Sequence, residues 1–337
     1  MIKFYFKSLF NKLYPLSLEN IISPIQIHLE SVNNVIKKSL GSDIPIINQI
    51  SNHIINSGGK RMRPILHLLI SGMGGEINKV NHEIAAIIEF IHTATLLHDD
   101  VVDQSLKRRN IKTANALFGN AASVLVGDFI YSRSFQMMVA INHMKVMKVL
   151  SDTTNAISEG EVLQLLNSHN PNINEKQYFE VIQFKTAKLF ETCGSLAGIL
   201  NNNSPEIISA YSKLGFHFGI IFQLIDDILD YSGDASQIGK NLGDDLNEGK
   251  VTLPLIYAMK NSNKKQCKLI KDAIKIGDIR KLPDVIEIIE NTQSISKVQI
   301  KSEEQLKNIK MILNSMPKND FKKIILDLAE YCVYRKN

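Results

Sequence analysis

The 337-residue sequence predicts an all-α protein, a single domain built as an antiparallel helical bundle. Apolar residues recur at the spacing of an amphipathic helix along nearly the whole chain, and the strict alternation of a half-buried strand is scarce. Most breaks between periodic stretches are short, which makes successive helices antiparallel neighbours. No low-complexity linker and no fixed-period repeat divides the chain, so its 44% hydrophobic residues serve one core.

In chain order, the opening "MIKFYFKSLFNKLYPLSLENII" mixes aromatic and aliphatic residues with Lys3, Lys7 and Lys12. Charge interrupts the run well short of the ~20 apolar residues that span a bilayer, so residues 1–19 read as an extension packed on a helical domain of residues 20–337. Helices are then bounded by "NSGGKRMRP" (56–64), "GMGGEIN" (72–78), "KRRNIKT" (107–113), "NSHNPNIN" (167–174), "NNNSPE" (201–206) and "IGDIRKLPD" (276–284). One break is long. The Gly- and Asp-rich "YSGDASQIGKNLGDDLNEGK" (231–250) sits inside a helical domain, where such a segment marks function.

Composition excludes several classes. A net charge of +5 spread over many lysines lacks the concentrated basic footprint of a nucleic-acid binder. Cys193, Cys267 and Cys332 are far apart and form no CxxC pair, which argues against a disulfide framework or a zinc site and fits a reducing cytoplasm.

The chemistry lies in a repeated motif. "HDDVVD" (98–103) is answered by "IDDILD" (225–230), each inside apolar helical sequence. Residues four apart share a helix face about 6 Å apart along the axis, so Asp99 pairs with Asp103 and Asp226 with Asp230. Like charges at that spacing repel, and two such faces converging on one cavity require cations. Hard carboxylate ligands with no His or Cys cluster point to Mg²⁺, which takes its remaining ligands from water and a substrate phosphate.

Basic residues indicate where that phosphate sits. "GGKRMRP" supplies Lys60, Arg61 and Arg63 behind two glycines, and "KRRN" supplies Lys107, Arg108 and Arg109 just past the first aspartates. There is no P-loop signature. His92, Lys185, Thr186, Gln223 and Lys240 are further polar positions that fit the same cavity.

Together "GGKRMRP", "LLHDDVVD", "KRRN", "VGDFIYSRSFQ", "EGEVLQL", "KTAKLFE", "FQLIDDILDY" and "GKNLGDDLNEGKVTLPL" resemble the trans-polyprenyl diphosphate synthase family, in its order and spacing over about residues 20–337. The resemblance implies the helical bundle of the isoprenoid synthase type with a central active-site cavity. It also implies a prenyltransferase that condenses an allylic diphosphate, typically farnesyl diphosphate, with successive isopentenyl diphosphate molecules. Two to three Mg²⁺ ions, bound with the allylic diphosphate, assist its departure as an allylic carbocation forms.

Carried over by position, Asp99, Asp100 and Asp103 and then Asp226, Asp227 and Asp230 become metal residues. Lys60, Arg63, His92 and Arg109 become the isopentenyl diphosphate pocket, and Arg108, Lys185, Thr186, Gln223 and Lys240 hold the allylic diphosphate. Asn110 stands where the family usually has Gly, and Asn tolerates left-handed backbone better than most residues. The small Ala94 and Thr95, five and four positions before Asp99, read as tunnel wall for a long product such as octaprenyl, with Phe135 and Met138 as a deeper floor. The family also implies a homodimer, a cytoplasmic enzyme with transient contact at the inner membrane for product release, and a quinone side chain as destination. Rival readings are a geranylgeranyl-type synthase, a non-catalytic subunit of a hetero-oligomer, which should have lost one aspartate motif, and an HD-type phosphohydrolase built on His98-Asp99.

Overall fold

Ser17 opens the first helix by accepting the Asn20 backbone N–H on its hydroxyl. The computed structural model describes residues 17–232 and 242–335. Most of the extension read for residues 1–19 lies outside the described residues. Four helices lead to the first motif: α1 (Leu18–Ile22), α2 (Gln26–Ser39), α3 (Pro45–Asn56) and α4 (Met62–Gly74). The long α5 (Lys79–Val102) carries that motif, and a capping box between Asn78 and Asn81 fixes its start. Ala85, Ala86, Ile87, Ile88 and Ile91 are fully buried along it, so α5 is a central core helix.

After α5 comes the one departure from all-helical structure among the described residues, a two-residue hairpin of β1 (Lys107–Arg108) and β2 (Ile111–Lys112). Its turn needs positive φ at both central residues, and Arg109 (53°) and Asn110 (63°) supply it. Asn110 thus does the work expected of a glycine, and the turn survives. The chain continues through α6 (Ala114–Phe118), α7 (Asn120–Ile141), α8 (Met144–Asn167) and α9 (Glu175–Ile182). A π-helical turn (Gln183–Ala187) leads into α10 (Lys188–Leu200), followed by α11 (Pro205–Ser232), which carries the second motif.

Two packing relationships bring the motifs together. α5 lies against α4 and α7, while α11 lies against α10 and α16. The approach of α10 to α11 depends on glycine, because a Cβ on Gly194 would fall 1.9 Å from the Tyr211 carbonyl oxygen and one on Gly215 would fall 2.1 Å from that of Phe190. Beyond the second motif come α12 (Asp244–Asn247), α13 (Leu253–Asn261), α14 (Lys264–Ile276), α15 (Leu282–Asn291), α16 (Ser294–Ser315) and α17 (Asp320–Tyr334). A smaller core of Tyr231, Leu246, Leu255, Ile270, Ile274 and Val285 seats α12 against these helices. Among the described residues, α7 is long and apolar enough to cross a membrane by length and composition, with mean hydropathy 1.2. Its Ser123, Val126, Ile130, Ser134 and Met138 are buried within the fold.

Candidate active site

The last turn of α5 and the last turns of α11 open onto one cavity of about 380 Å³. Asp99, Asp103, Asp226 and Asp230 all line it, so the two motifs converge as their spacing predicts. Lysines stand between the carboxylates. The Lys185 ammonium lies 3.2 Å from Asp99 Oδ2 and 2.6 Å from Glu161 Oε2. Lys250 donates to Asp103 Oδ2 at 2.7 Å and to Glu248 Oε2 at 2.6 Å. Burial would lower both lysine pKa values, but the facing carboxylates overcome it and hold both ammonium groups charged. Burial, aided by Asp99, pushes Glu161 up to about 7, and burial likewise pushes Glu248 up to about 7.

The middle aspartates behave differently from the outer ones. Asp100 is fully buried, does not line the cavity, and accepts from Arg108 Nε at 3.0 Å and Nη2 at 2.7 Å. These contacts anchor the β1 arginine to the end of α5. Asp227 is 1% exposed, takes the Tyr178 hydroxyl on Oδ2 at 2.6 Å and takes Gln223 Nε2 on Oδ1 at 2.7 Å. Burial, with the charge of Asp245 behind it, raises Asp227 to about 8. Thr186 donates to Gln223 Oε1 at 2.9 Å, so a hydrogen-bonded chain runs from Thr186 to Tyr178. Asp230 Oδ2 accepts the Asp245 backbone N–H at 3.3 Å.

The basic residues gather at the same cavity. Lys60, Arg63, His92 and Arg109 all line it, together with Glu89, which pairs with Arg61. The Arg63 guanidinium stacks 4.5 Å above the Phe190 ring. Burial, reinforced by Arg63, Arg108 and Arg109, drives His92 well below its usual pKa and keeps it neutral. Burial and Arg335 bring Lys60 down to about 8. Arg335 itself arrives from the end of α17, stacking on Phe222 and reaching Asp226 Oδ1 at 3.3 Å.

Some expectations change. Thr95 lines the cavity, but Ala94 is fully buried in the core and does not. Adjacent helical residues point about 100° apart, so only the one four positions before Asp99 shares its face. Met138 is buried in the core, Phe135 packs beside Tyr131 with ring centroids 5.2 Å apart, and neither lines the cavity. Lys240 lies outside the described residues. His98 turns towards α7, 3.2 Å from the Val124 carbonyl oxygen and 3.3 Å from Asp128, which removes the histidine that an HD-type hydrolase would need. Sequence reasoning missed Tyr178, Glu161, Glu248, Lys250 and Arg335 as cavity residues. Glu161, Glu248 and Lys250 lay within recognised motifs, whereas Tyr178 and Arg335 carried no local signal.

The donor set suits a hard divalent cation. Among the described residues no three His, Cys, Asp or Glu side chains form a ready-made metal cage. The paired carboxylates and the ammonium groups standing between them instead fit ions that arrive with a polyanionic substrate.

Residues 44–291 match the sequence profile of the family described as polyprenyl synthetase. The octaprenyl diphosphate synthase of Escherichia coli (strain K12) is 45% identical over 321 residues, covering 95% of this chain and 99% of that protein. The all-trans-nonaprenyl-diphosphate synthase (geranyl-diphosphate specific) of Rhodobacter capsulatus is 40% identical, covering 94% and 98%. A polyprenyl synthase from Caulobacter crescentus, crystallised with calcium and isoprenyl diphosphate, superposes with a TM-score of 0.92 at 36% identity, covering 95% of this chain and 98% of that one.

Proposed function

The chain belongs to the polyprenyl synthetase family and is a long-chain polyprenyl diphosphate synthase, a prenyltransferase; from that premise we propose that it elongates farnesyl diphosphate to octaprenyl diphosphate with Mg²⁺. The observation that most supports the reading is the meeting of two carboxylate pairs and two basic groups in one cavity.

Asp99, Asp103, Asp226 and Asp230 would hold Mg²⁺ together with the allylic diphosphate. Bound there, Mg²⁺ supplies Lewis-acid stabilisation of charge growing on the leaving oxygen. Lys185, Arg108 and Lys250 add fixed positive charge beside the same oxygens, and Thr186 and Gln223 orient them. Lys60, Arg63 and Arg109 bind the diphosphate of isopentenyl diphosphate, with neutral His92 as a hydrogen-bonding partner. The allylic C–O bond breaks, and the terminal alkene carbon of isopentenyl diphosphate forms the new C–C bond. The proton lost from the product passes to the departing diphosphate. Apolar walls, Leu96 and Phe222 among them, exclude water from the cation.

The growing chain extends past Thr95, whose small side chain supports a long product. Leu125, Val139, Val162, Leu165 and Leu166, left exposed on α7 and α8, support a homodimer formed through helix packing. A cytoplasmic enzyme in transient contact with the inner membrane, feeding a quinone side chain, fits a soluble substrate and a lipid product. The reading is tested by following diphosphate release from farnesyl diphosphate. Release that requires both isopentenyl diphosphate and Mg²⁺ supports a synthase; release without isopentenyl diphosphate would mark a hydrolase and overturn it.

A further inference from the structure

Lys185 is held at both of its ends by two consecutive residues of α8. Its backbone lies in the π-helical turn Gln183–Ala187, where the Lys188 N–H bonds the Gln183 carbonyl five residues back. A widened turn of this kind inserts a residue into the helix and re-aims its neighbours. Both Lys185 and Thr186, from within this turn, line the cavity. Gly160 makes room for the turn. A Cβ at that position would stand 2.7 Å from the Lys185 backbone nitrogen, 2.9 Å from Phe184 Cβ and 3.0 Å from the Phe184 carbonyl carbon. Two of those three atoms are backbone, so a side chain at residue 160 could be accommodated only by moving the turn. The next residue, Glu161, takes the other end of the same lysine, with its Oε2 2.6 Å from Nζ.

We propose that Gly160 and Glu161 form a positioning bracket for Lys185, Gly160 seating its backbone and Glu161 holding its ammonium. The bracket matters because the other partner of Lys185 is Asp99, at 3.2 Å. With Asp99 engaged by Mg²⁺, Glu161 would keep the ammonium aimed at the diphosphate. The π turn also links the motifs, since Lys185 reaches the first through Asp99 and Thr186 reaches the second through Gln223 and Asp227. The inference rests on the reading of Lys185 as a residue for the allylic diphosphate.

Steady-state kinetics on Glu161→Gln, Gly160→Ala, Lys185→Ala and the double variant Glu161→Gln/Lys185→Ala test it. The Glu161 side chain is 28% exposed, so the isosteric Glu161→Gln folds even if Gly160→Ala does not. Glu161→Gln should raise KM for the allylic diphosphate about tenfold while KM for isopentenyl diphosphate moves less than about twofold. In the Lys185→Ala background it should add nothing, because a residue acting only through Lys185 has no effect once the lysine is gone. A folded Gly160→Ala should show the same selective rise. The bracket is overturned if Glu161→Gln costs as much with Lys185 absent as present, which would make Glu161 an independent ligand. It is also overturned if Lys185→Ala raises the allylic KM and Glu161→Gln does not. An unchanged allylic KM in Lys185→Ala itself would remove the reading of Lys185, and the bracket with it.

Discussion

The Lys250 ammonium lies 2.7 Å from Asp103 Oδ2 and 2.6 Å from Glu248 Oε2, tying the end of the first aspartate helix to the segment that follows the second. A lysine occupies the place between carboxylates where a metal-bound diphosphate would be drawn. Binding of that substrate therefore exchanges an internal ion pair for an external one. Lys250→Met leaves the carboxylates without their counter-charge and should lower the melting temperature of the metal-free protein by several degrees. Adding Mg²⁺ with an unreactive allylic diphosphate analogue should raise the melting temperature of wild type more than that of the variant, because Lys250 also faces the diphosphate. Equal melting temperatures without metal would show that the pair carries no stability.

The outer and middle aspartates should separate kinetically. Asp99→Ala or Asp226→Ala should cut turnover by at least about a hundredfold, with far-UV circular dichroism unchanged. Asp227→Asn should cost less than about tenfold. Burial raises Asp227 to about 8, which favours its neutral form, and the Gln223 amide can flip to suit an asparagine. Equal losses in all three variants would place Asp227 among the working ligands.

Lys60 predicts the pH profile. Burial and Arg335 lower it from 10.5 to about 8, so the ammonium is charged below that pH and loses its proton as pH rises through it. In the free enzyme kcat/KM for isopentenyl diphosphate should therefore fall above about pH 8. Lys60→Arg, which stays charged, should extend the plateau upward. An identical fall in the arginine variant would assign the alkaline limb to another group.

Product length separates two adjacent residues. Thr95→Phe places a ring in the cavity on the Asp99 face and should shorten the product, as read by reversed-phase chromatography. Ala94→Phe forces a ring into a fully buried core position and should cost about 1–3 kcal/mol of stability instead. Full-length product from Thr95→Phe would show that the chain runs elsewhere.

What was legible in the sequence was local. Helical periodicity and short breaks gave the all-α bundle, and two DDxxD motifs four helical positions wide gave the converging carboxylates. Asn110 even announced the left-handed turn at 109–110. What was not legible depends on orientation and on contacts between distant parts of the chain. Of Ala94 and Thr95, only Thr95 reaches the cavity, while Ala94 turns into the core. Arg335 could not be found, because only the tertiary fold brings the end of α17 to Asp226. Tyr178 likewise shows its purpose only when α9 sets its hydroxyl 2.6 Å from Asp227.

The central claim is that the two aspartate motifs jointly hold an allylic diphosphate for repeated elongation. Its most direct test incubates the purified protein with Mg²⁺, farnesyl diphosphate and labelled isopentenyl diphosphate and sizes the labelled products. Mg²⁺-dependent label in an eight-unit product from the wild type, abolished in both Asp99→Ala and Asp226→Ala, is the predicted result. Full-length product from either variant, or no incorporation by the wild type, would contradict it.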